Sequence, residues 1–343
     1  MNAIAPLLLQ WYDVHKRDLP WRHTKDPYLI WLCEIIMQQT RVDQGLPYYL
    51  RFTQNFPTPR ALASASEDEI LKCWQGLGYY SRARNLHAAA KSMNGVFPTT
   101  YEGVRSLKGV GDYTAAAICS IAFDMPYAVV DGNVLRVLAR VFGVQTPIDT
   151  TAGKKFFNEL AQKLLDTKRA GDYNQAIMDF GAMVCTPKNP LCPSCPLAGK
   201  CKARATGQAE KLPVKAQKTK ISTRYFHYIY VAQGGFTWLH RRGTGDVWEN
   251  LYEPVLVETL SPELPPNNPQ LKKWFGAAKL TLLTSKPVKH VLSHRIICAD
   301  LHVVNLPPAR KVPAEFIKIP QKNLHRYAVS RLVQKLLEKY NLI

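Results

Sequence analysis

The chain contains no apolar run near the ~18 residues that a membrane-spanning helix needs. Its first residues, Met1–Gln10, have neither the basic start nor the small-residue cleavage site of a secretory leader. Together these absences predict an intracellular protein with no membrane attachment. With 46% hydrophobic and 21% charged residues, the chain also lacks the composition of a disordered, collagen-like or disulfide-scaffold protein. No repeat of solenoid period is present. Acidic side chains are in short supply, 26 Asp plus Glu against 45 Lys plus Arg, for a net charge of +19. That excess predicts an anionic partner, nucleic acid ahead of an acidic membrane surface. Thiols stay reduced inside cells, so the 8 Cys are expected as ligands, reactive groups or core fillers and not as disulfides.

A length of 343 residues suggests about two domains. From Ala5 to Phe180 the pattern is helical. An apolar helix should open at Pro27 and run to about Val42. Further helices are expected over Ser66–Gln75, Asn85–Met93, Tyr113–Ala122, Gly132–Phe142, Lys154–Leu165 and Tyr173–Val184, punctuated by Gly and Pro. After Cys201 the character changes. Lys211 to Arg224 holds five basic residues and no acid and reads as a linker. Beyond it come strand-like runs at Tyr225–Val231, Phe236–His240, Val255–Glu258, Ile296–Val304 and Phe316–Ile319, then a closing helix over His325–Tyr340. The reading is a multidomain protein: an all-α region over 1–205, a basic linker over 206–221 and an α+β domain over 222–343. The charge splits as +7 for 1–205 and +12 for 206–343.

Three features carry chemistry. Cys185, Cys192, Cys195 and Cys201 follow C-x6-C-x2-C-x5-C, close enough for four thiolates to wrap one soft metal centre. Chemistry alone leaves zinc and an iron–sulfur cluster open. Leu107–Ile118 places Gly109, Val110 and Gly111 in a turn before a helix, where backbone N–H groups can receive a phosphate. Glu34 is the single charge in Tyr28–Met37. Its helical neighbours Ile30, Trp31 and Met37 are apolar, so desolvation should raise its pKa and suit it to general-acid work. Asp131, between Ala128–Val130 and Gly132, reads as a helix N-cap, a position that also holds a carboxylate rigid and ionised.

In combination these features resemble the adenine DNA glycosylases (MutY) of the helix–hairpin–helix, endonuclease III superfamily. The resemblance covers Leu8 to Lys202. It rests on Trp31-Leu-Cys-Glu-Ile-Ile-Met-Gln-Gln-Thr40, Gly76-Leu-Gly-Tyr-Tyr-Ser81, the Leu107–Ile118 hairpin, Val130-Asp-Gly-Asn-Val134 and the four Cys. It implies a helical glycosylase with one 4Fe-4S cluster on Cys185, Cys192, Cys195 and Cys201, in a loop spanning 185–201. It further implies base excision repair of duplex DNA in which adenine is mispaired with 8-oxoguanine or G. The flipped adenine is lost by N-glycosidic hydrolysis, in a monomeric protein of the cytoplasm or nucleoid. By resemblance Glu34 protonates the base, Asp131 stabilises the sugar cation, and Tyr113 and Asn133 orient them. Arg17, Trp21 and Gln175 line the adenine pocket, and Gln39 and Tyr79 enter the DNA helix. The lyase branch carries Lys where this chain has Tyr113, so Schiff-base strand cleavage is not expected.

Residues from about Ser222 resemble, more loosely, the MutT-like (Nudix-like) C-terminal domain of MutY, through Arg241–Pro254 and Val291-Leu-Ser-His-Arg295. The resemblance assigns 8-oxoguanine recognition to Ser293 and His294, with Leu292 replacing a usual Phe. Glu253, Glu258 and Glu263 sit among prolines and not on a metal-binding helix, which points to a recognition module. Two other readings compete. One is a glycosylase of the same fold acting on a pyrimidine or mismatched thymine. The other is a damage sensor with a dead site, which Glu34, Asp131, Tyr113 and Asn133 argue against.

Overall fold

The structure, a computed structural model, describes residues 4–216, 221–292 and 294–343. It divides into two compact units, Met1–Ser64 with Asn85–Gln217, and Ala65–Arg84 with Lys218–Ile343. Its helices in chain order are α1 (Ala5–His15), α2 (Pro27–Met37), α3 (Val42–Asn55), α4 (Pro59–Ser64), α5 (Glu67–Trp74), α6 (Ser81–Ser92), α7 (Tyr101–Arg105), α8 (Asp112–Phe123), α9 (Gly132–Phe142), α10 (Thr151–Leu164), α11 (Ala170–Met183) and the short α12 (Lys202–Ala205). Side chains set many of the starts. Asp26, Thr100, Asp131 and Thr150 each accept a first-turn N–H, which is the bond that makes Asp and Thr good N-caps.

Two helices form the centre of the first unit. α2 buries Tyr28, Ile30, Trp31, Leu32, Cys33, Ile35 and Ile36, and α8 buries every residue from Thr114 to Ile121. Helices apolar almost all round belong inside a protein, and these two pack on one another. The apolar helix stops earlier than expected. It ends at Met37 and not near Val42, because Gln38 is extended and Gln39 adopts φ +55°. α3 then starts afresh at Val42. The segment read as a linker is docked on this unit over its first half. Leu212 is buried, Val214 O accepts from Ile148 N at 3.0 Å, and Ala216 N donates to Asp149 Oδ1 at 2.8 Å.

The second unit is built on a seven-stranded sheet of β1 (Ser222–Ala232), β2 (Phe236–Arg241), β3 (Tyr252–Thr259), β4 (Leu280–Leu282), β5 (Val288–Val291), β6 (Arg295–Asn305) and β7 (Ile317–Pro320). Strand order is β4-β6-β1-β3-β2-β7, with β5 also on β6. β1 and β6 pair in parallel from Ser222↔Arg295 to Ala232↔Asn305; the other pairs are antiparallel. Alternate residues of β1 feed opposite cores, Phe226, Tyr228 and Tyr230 on one face and Ile229 and Val231 on the other. The first core is closed by Leu332, Val333, Leu336 and Leu337 of α14 (Arg331–Lys339). The second is closed by Leu271, Trp274 and Phe275 of α13 (Pro269–Phe275). The closing helix starts at Arg331, later than His325, because Ser330 caps it and 321–326 is a 3₁₀ turn. β4 and β5 were not expected; both are short and half exposed. Within the described residues no helix is long and apolar enough to cross a membrane.

Candidate active site and cluster recess

Glu34 leaves the buried α2 on the side that meets α8 and the cap of α9. Tyr113 of α8 donates a hydrogen bond to it, and Asp131 and Arg22 are its charged neighbours. Burial pushes the Glu34 carboxyl up to about 7, the repulsion of Asp131 adds to the rise, and Tyr113 and Arg22 oppose it. Asp131 caps α9 through Oδ1, which accepts from Val134 N at 2.8 Å, and Oδ2 accepts from Asn133 Nδ2 at 2.8 Å. Burial also raises its pKa, against the pull of those donors and of Arg136. The four residues expected to carry the chemistry therefore meet in one place. Asn133 is fixed in turn. Arg136 Nη2 donates to its Oδ1 at 2.8 Å, and Gly181 lies so close that a Cβ there would stand 2.7 Å from the Asn133 Cβ.

A cavity of about 350 Å³ is lined by Tyr12, Arg17, Trp21, Arg22, Ile121 and Gln175 among others; Glu34 and Asp131 are not in its lining, and Arg22, whose charge acts on Glu34, links the two. Arg17, Trp21 and Gln175 were all expected to share a pocket. Arg22 was not anticipated, although it follows Trp21 directly. Nor was Asp179, which is fully buried and takes Arg17 Nε at 3.0 Å and Arg22 Nη2 at 2.9 Å on the same oxygen. Its signal in the sequence matches that of Glu34, an isolated acid within the apolar end of a helix. α11 is the shared scaffold. Asn174 accepts from Val129 N and donates to Tyr127 O, gripping the irregular segment that leads to Asp131. Gln175 lines the cavity, and Met178 Sδ lies 3.4 Å from the Tyr113 hydroxyl.

The hairpin turns between α7 and α8. Gly109 has φ +84°, and a Cβ there would come 2.9 Å from the Asn85 Cβ, so two constraints demand glycine. Gly109 and Gly111 are exposed, whereas the Val110 side chain is buried and its N–H is taken by Leu107 O at 3.0 Å. Gly111 caps α8 without a side chain, leaving first-turn N–H groups open to solvent. Gln39 and Tyr79 are both exposed and both held at positive φ, +55° and +48°. Left-handed backbone is uncommon for such residues and is often found at functional positions.

Cys185, Cys192, Cys195 and Cys201 line one recess with Val141, Phe180, Val184, Leu191 and Leu197. Arg140 crosses behind it, bonding Thr186 O at 2.7 Å, Pro187 O at 3.0 Å and Cys185 Sγ at 3.4 Å. Burial raises the thiols of Cys185 and Cys195, with Arg140 and Arg136 working against it at Cys185. No group of three or more His, Cys, Asp or Glu among the described residues meets as a single-ion site. Four soft donors converging on an apolar recess with guanidinium groups behind them fit a thiolate-held cluster.

In the second unit His294 is exposed and lines a cavity of about 340 Å³ with Tyr79, Arg84, Asp246, Trp248, Leu292 and Arg295. The turn is closed by Leu292 N donating to Arg295 O at 2.8 Å and tied down by Ser222 N on His294 O at 3.1 Å. Ser293 lies outside the described residues. Asp246, not anticipated from sequence, accepts from Arg224, Arg242 and Arg295 at 2.6 to 3.0 Å, which pulls its carboxyl far below the usual range. Glu253 and Glu258 lie on β3, and Glu253 gives both oxygens to buried Arg242.

Comparison with known proteins adds to this geometry. Residues 32–165 match the family described as HhH-GPD superfamily base excision DNA repair protein, and 227–339 match the NUDIX domain. An adenine DNA glycosylase of Mus musculus is 46% identical over 230 residues, 62% of this chain and 44% of that protein, so the match spans less than half of the relative's length. One from Buchnera aphidicola subsp. Acyrthosiphon pisum is 31% identical over 352 residues, 98% of this chain and 97% of that protein. Of solved structures, a thermostable thymine-DNA glycosylase superposes with a TM-score of 0.56 at 30% identity, covering 60% of this chain and 96% of that one.

Proposed function

The chain belongs to the adenine DNA glycosylase family, and from that premise we propose that it removes adenine mispaired with 8-oxoguanine or G in duplex DNA, without cutting the strand. The observation that carries this reading is the unequal pair of carboxyls. Glu34 is held near neutrality, at about 7, and the nearby Asp131 is bonded by Val134 N–H and the Asn133 amide. Adenine leaves as a neutral base only when a ring nitrogen is protonated. A flipped adenine in the cavity of Arg17, Trp21 and Gln175 would receive that proton from Glu34, with Tyr113 holding the acid in place. As the sugar gains positive charge, the Asp131 carboxylate stabilises it and water completes hydrolysis, the two-carboxylate logic of glycoside cleavage.

The remaining assignments follow the same reading. The Gly109–Gly111 turn holds a backbone phosphate, Gln39 and Tyr79 enter the duplex beside the lesion, and the His294 turn recognises 8-oxoguanine. Cys185, Cys192, Cys195 and Cys201 would hold a 4Fe-4S cluster whose contribution is structural, ordering the 185–201 loop. We assign catalysis to 1–205, recognition to 222–343 and the connection to 206–221, in an intracellular monomer acting on genomic DNA. Tyr113 offers no amine for a Schiff base. The test is base release from duplexes carrying A opposite 8-oxoguanine, A opposite G, and T opposite G, with borohydride added. Adenine release in the first two, strands intact until alkali is added and no trapped adduct are the expected results. Release of thymine alone, or prompt trapped nicking, overturns the reading.

A further inference from the structure

Asp179 takes no part in the chemistry above, yet it is fully buried on α11 directly behind the cavity. Its Oδ1 takes both Arg17 and Arg22, while Oδ2 has no hydrogen-bond partner among the described residues. A buried carboxylate with one oxygen unbonded costs stability and calls for an explanation. Its position supplies one. Among the described residues Arg22 is a cation whose charge acts on Glu34, where it favours the carboxylate over the acid. The other groups facing Glu34 are Tyr113 from α8, Asp131 at the cap of α9 and Cys33 on its own helix. Both terminal nitrogens of Arg22 are committed elsewhere, Nη2 to Asp179 and Nη1 to the Tyr12 hydroxyl.

We propose that Asp179, helped by Tyr12, is a positioning residue that pins Arg22 in the cavity wall and keeps it from pairing with Glu34. An Arg22 set loose has Glu34 within reach of its charge, besides Asp18 and Asp172 in the cavity lining, and a bidentate Arg–Glu34 pair would hold the Glu34 side chain ionised. The general acid would then be lost without any change to Glu34 itself. Asp179 serves by drawing the competing cation away while leaving it in the wall of the pocket, where it can still face a bound base.

The inference rests on Glu34 being the general acid, and the experiment separates the two. Single-turnover adenine release is measured across about pH 5.5 to 8.5 for the wild type, Asp179→Asn, Tyr12→Phe, Asp179→Asn with Arg22→Met, and Glu34→Gln, with duplex affinity and thermal melting recorded for each. In the wild type the rate falls as pH rises through about 7. Asp179→Asn should move that limb to lower pH, so its deficit is about tenfold or more at the alkaline end and shrinks toward the acid end. Tyr12→Phe, which frees only Nη1, should shift the limb the same way by less. Adding Arg22→Met should return it to the wild-type position or above. A deficit equal at every pH, or a limb unmoved in both single variants that melt normally, overturns the proposal. If Asp179→Asn does not fold, an unmoved limb in Tyr12→Phe overturns it alone. Full release by Glu34→Gln would instead remove the reading beneath it.

Discussion

The two units put carboxyl groups to opposite uses. In the first, Glu34 sits among apolar side chains with no cation bonded to it among the described residues, and burial lifts its pKa to about 7. In the second, acids are saturated with arginine: Asp246 takes three guanidinium groups and Glu253 gives both oxygens to Arg242. A carboxyl kept neutral has a proton to give away. Asp246, pulled far below the usual range by its guanidinium partners, has none to give at ordinary pH and holds structure. The same side-chain chemistry is thus set for different work at Glu34 and at Asp246 and Glu253, with Asp179 of the first unit on the arginine-bound side, and the difference lies in how many cations reach it.

Neutralising one acid from each unit tests this most directly. Glu34→Gln should cut adenine release by about 10²- to 10⁴-fold while duplex binding in a filter or anisotropy assay persists. The sign of its stability effect follows from linkage. The folded pKa of Glu34 lies above its unfolded value, so its contribution is full below the ordinary carboxyl value of 4.5 and is lost as pH rises through about 7. The variant should therefore melt higher than wild type at neutral and alkaline pH, by a margin on the order of 3 kcal/mol at most. Glu253→Gln should do the reverse. Release survives, but the second unit loses about 1.5 to 3 kcal/mol, because buried Arg242 gives up its Glu253 partner and keeps only Asp246. Equal loss of release in both variants would erase the contrast.

How far each arrangement was legible in the sequence follows the same division. Glu34 stood out as a lone charge in an apolar helix, and Asp131 as the first polar residue after a strand-like run. Short local motifs carried them. Asp179 showed the same local signal as Glu34 but falls outside those motifs, and only the fold reveals that Arg17 and Arg22 reach it. The end of α2 was missed because Gln38–Arg41 hold neither Gly nor Pro to mark a stop, while Gln39 turns left-handed, a backbone event that composition does not show. In the second unit, Arg224 and Arg295 reach Asp246 because β1 and β6 run in parallel register from Ser222↔Arg295. Nothing within a window of neighbouring residues announces a pairing across that separation. β4 and β5 were missed because three and four residues are too few to show an alternating pattern.

An intermediate effect is expected at Asp246. It holds Arg295, the residue after His294, so Asp246→Asn should loosen the 292–295 turn without touching Glu34. Adenine release opposite G should stay within about twofold, while the preference for 8-oxoguanine over G falls several-fold, within the ~1–3 kcal/mol typical of one recognition contact. Competition between the two duplexes in one tube reads this ratio. An unchanged ratio would make the triple-arginine cluster architecture alone. A drop in both rates together would mean that the second unit supports the chemistry itself.

The smallest change asks whether the units are energetically separate. Ser330 caps α14 by accepting from Val333 N at 3.2 Å, and α14 closes one core of the second unit. Ser330→Ala removes that bond from a buried position, at a cost of about 1 kcal/mol, or roughly 2 to 4 °C in melting temperature for a unit of this size. If Asp246 and Glu253 serve architecture and Glu34 serves reaction, one calorimetric transition should move and the rate of adenine release at 25 °C should not. A fall in that rate would show that the apolar core beneath the recognition sheet also sets the geometry around Glu34. The division of labour would then lie between side chains and not between units.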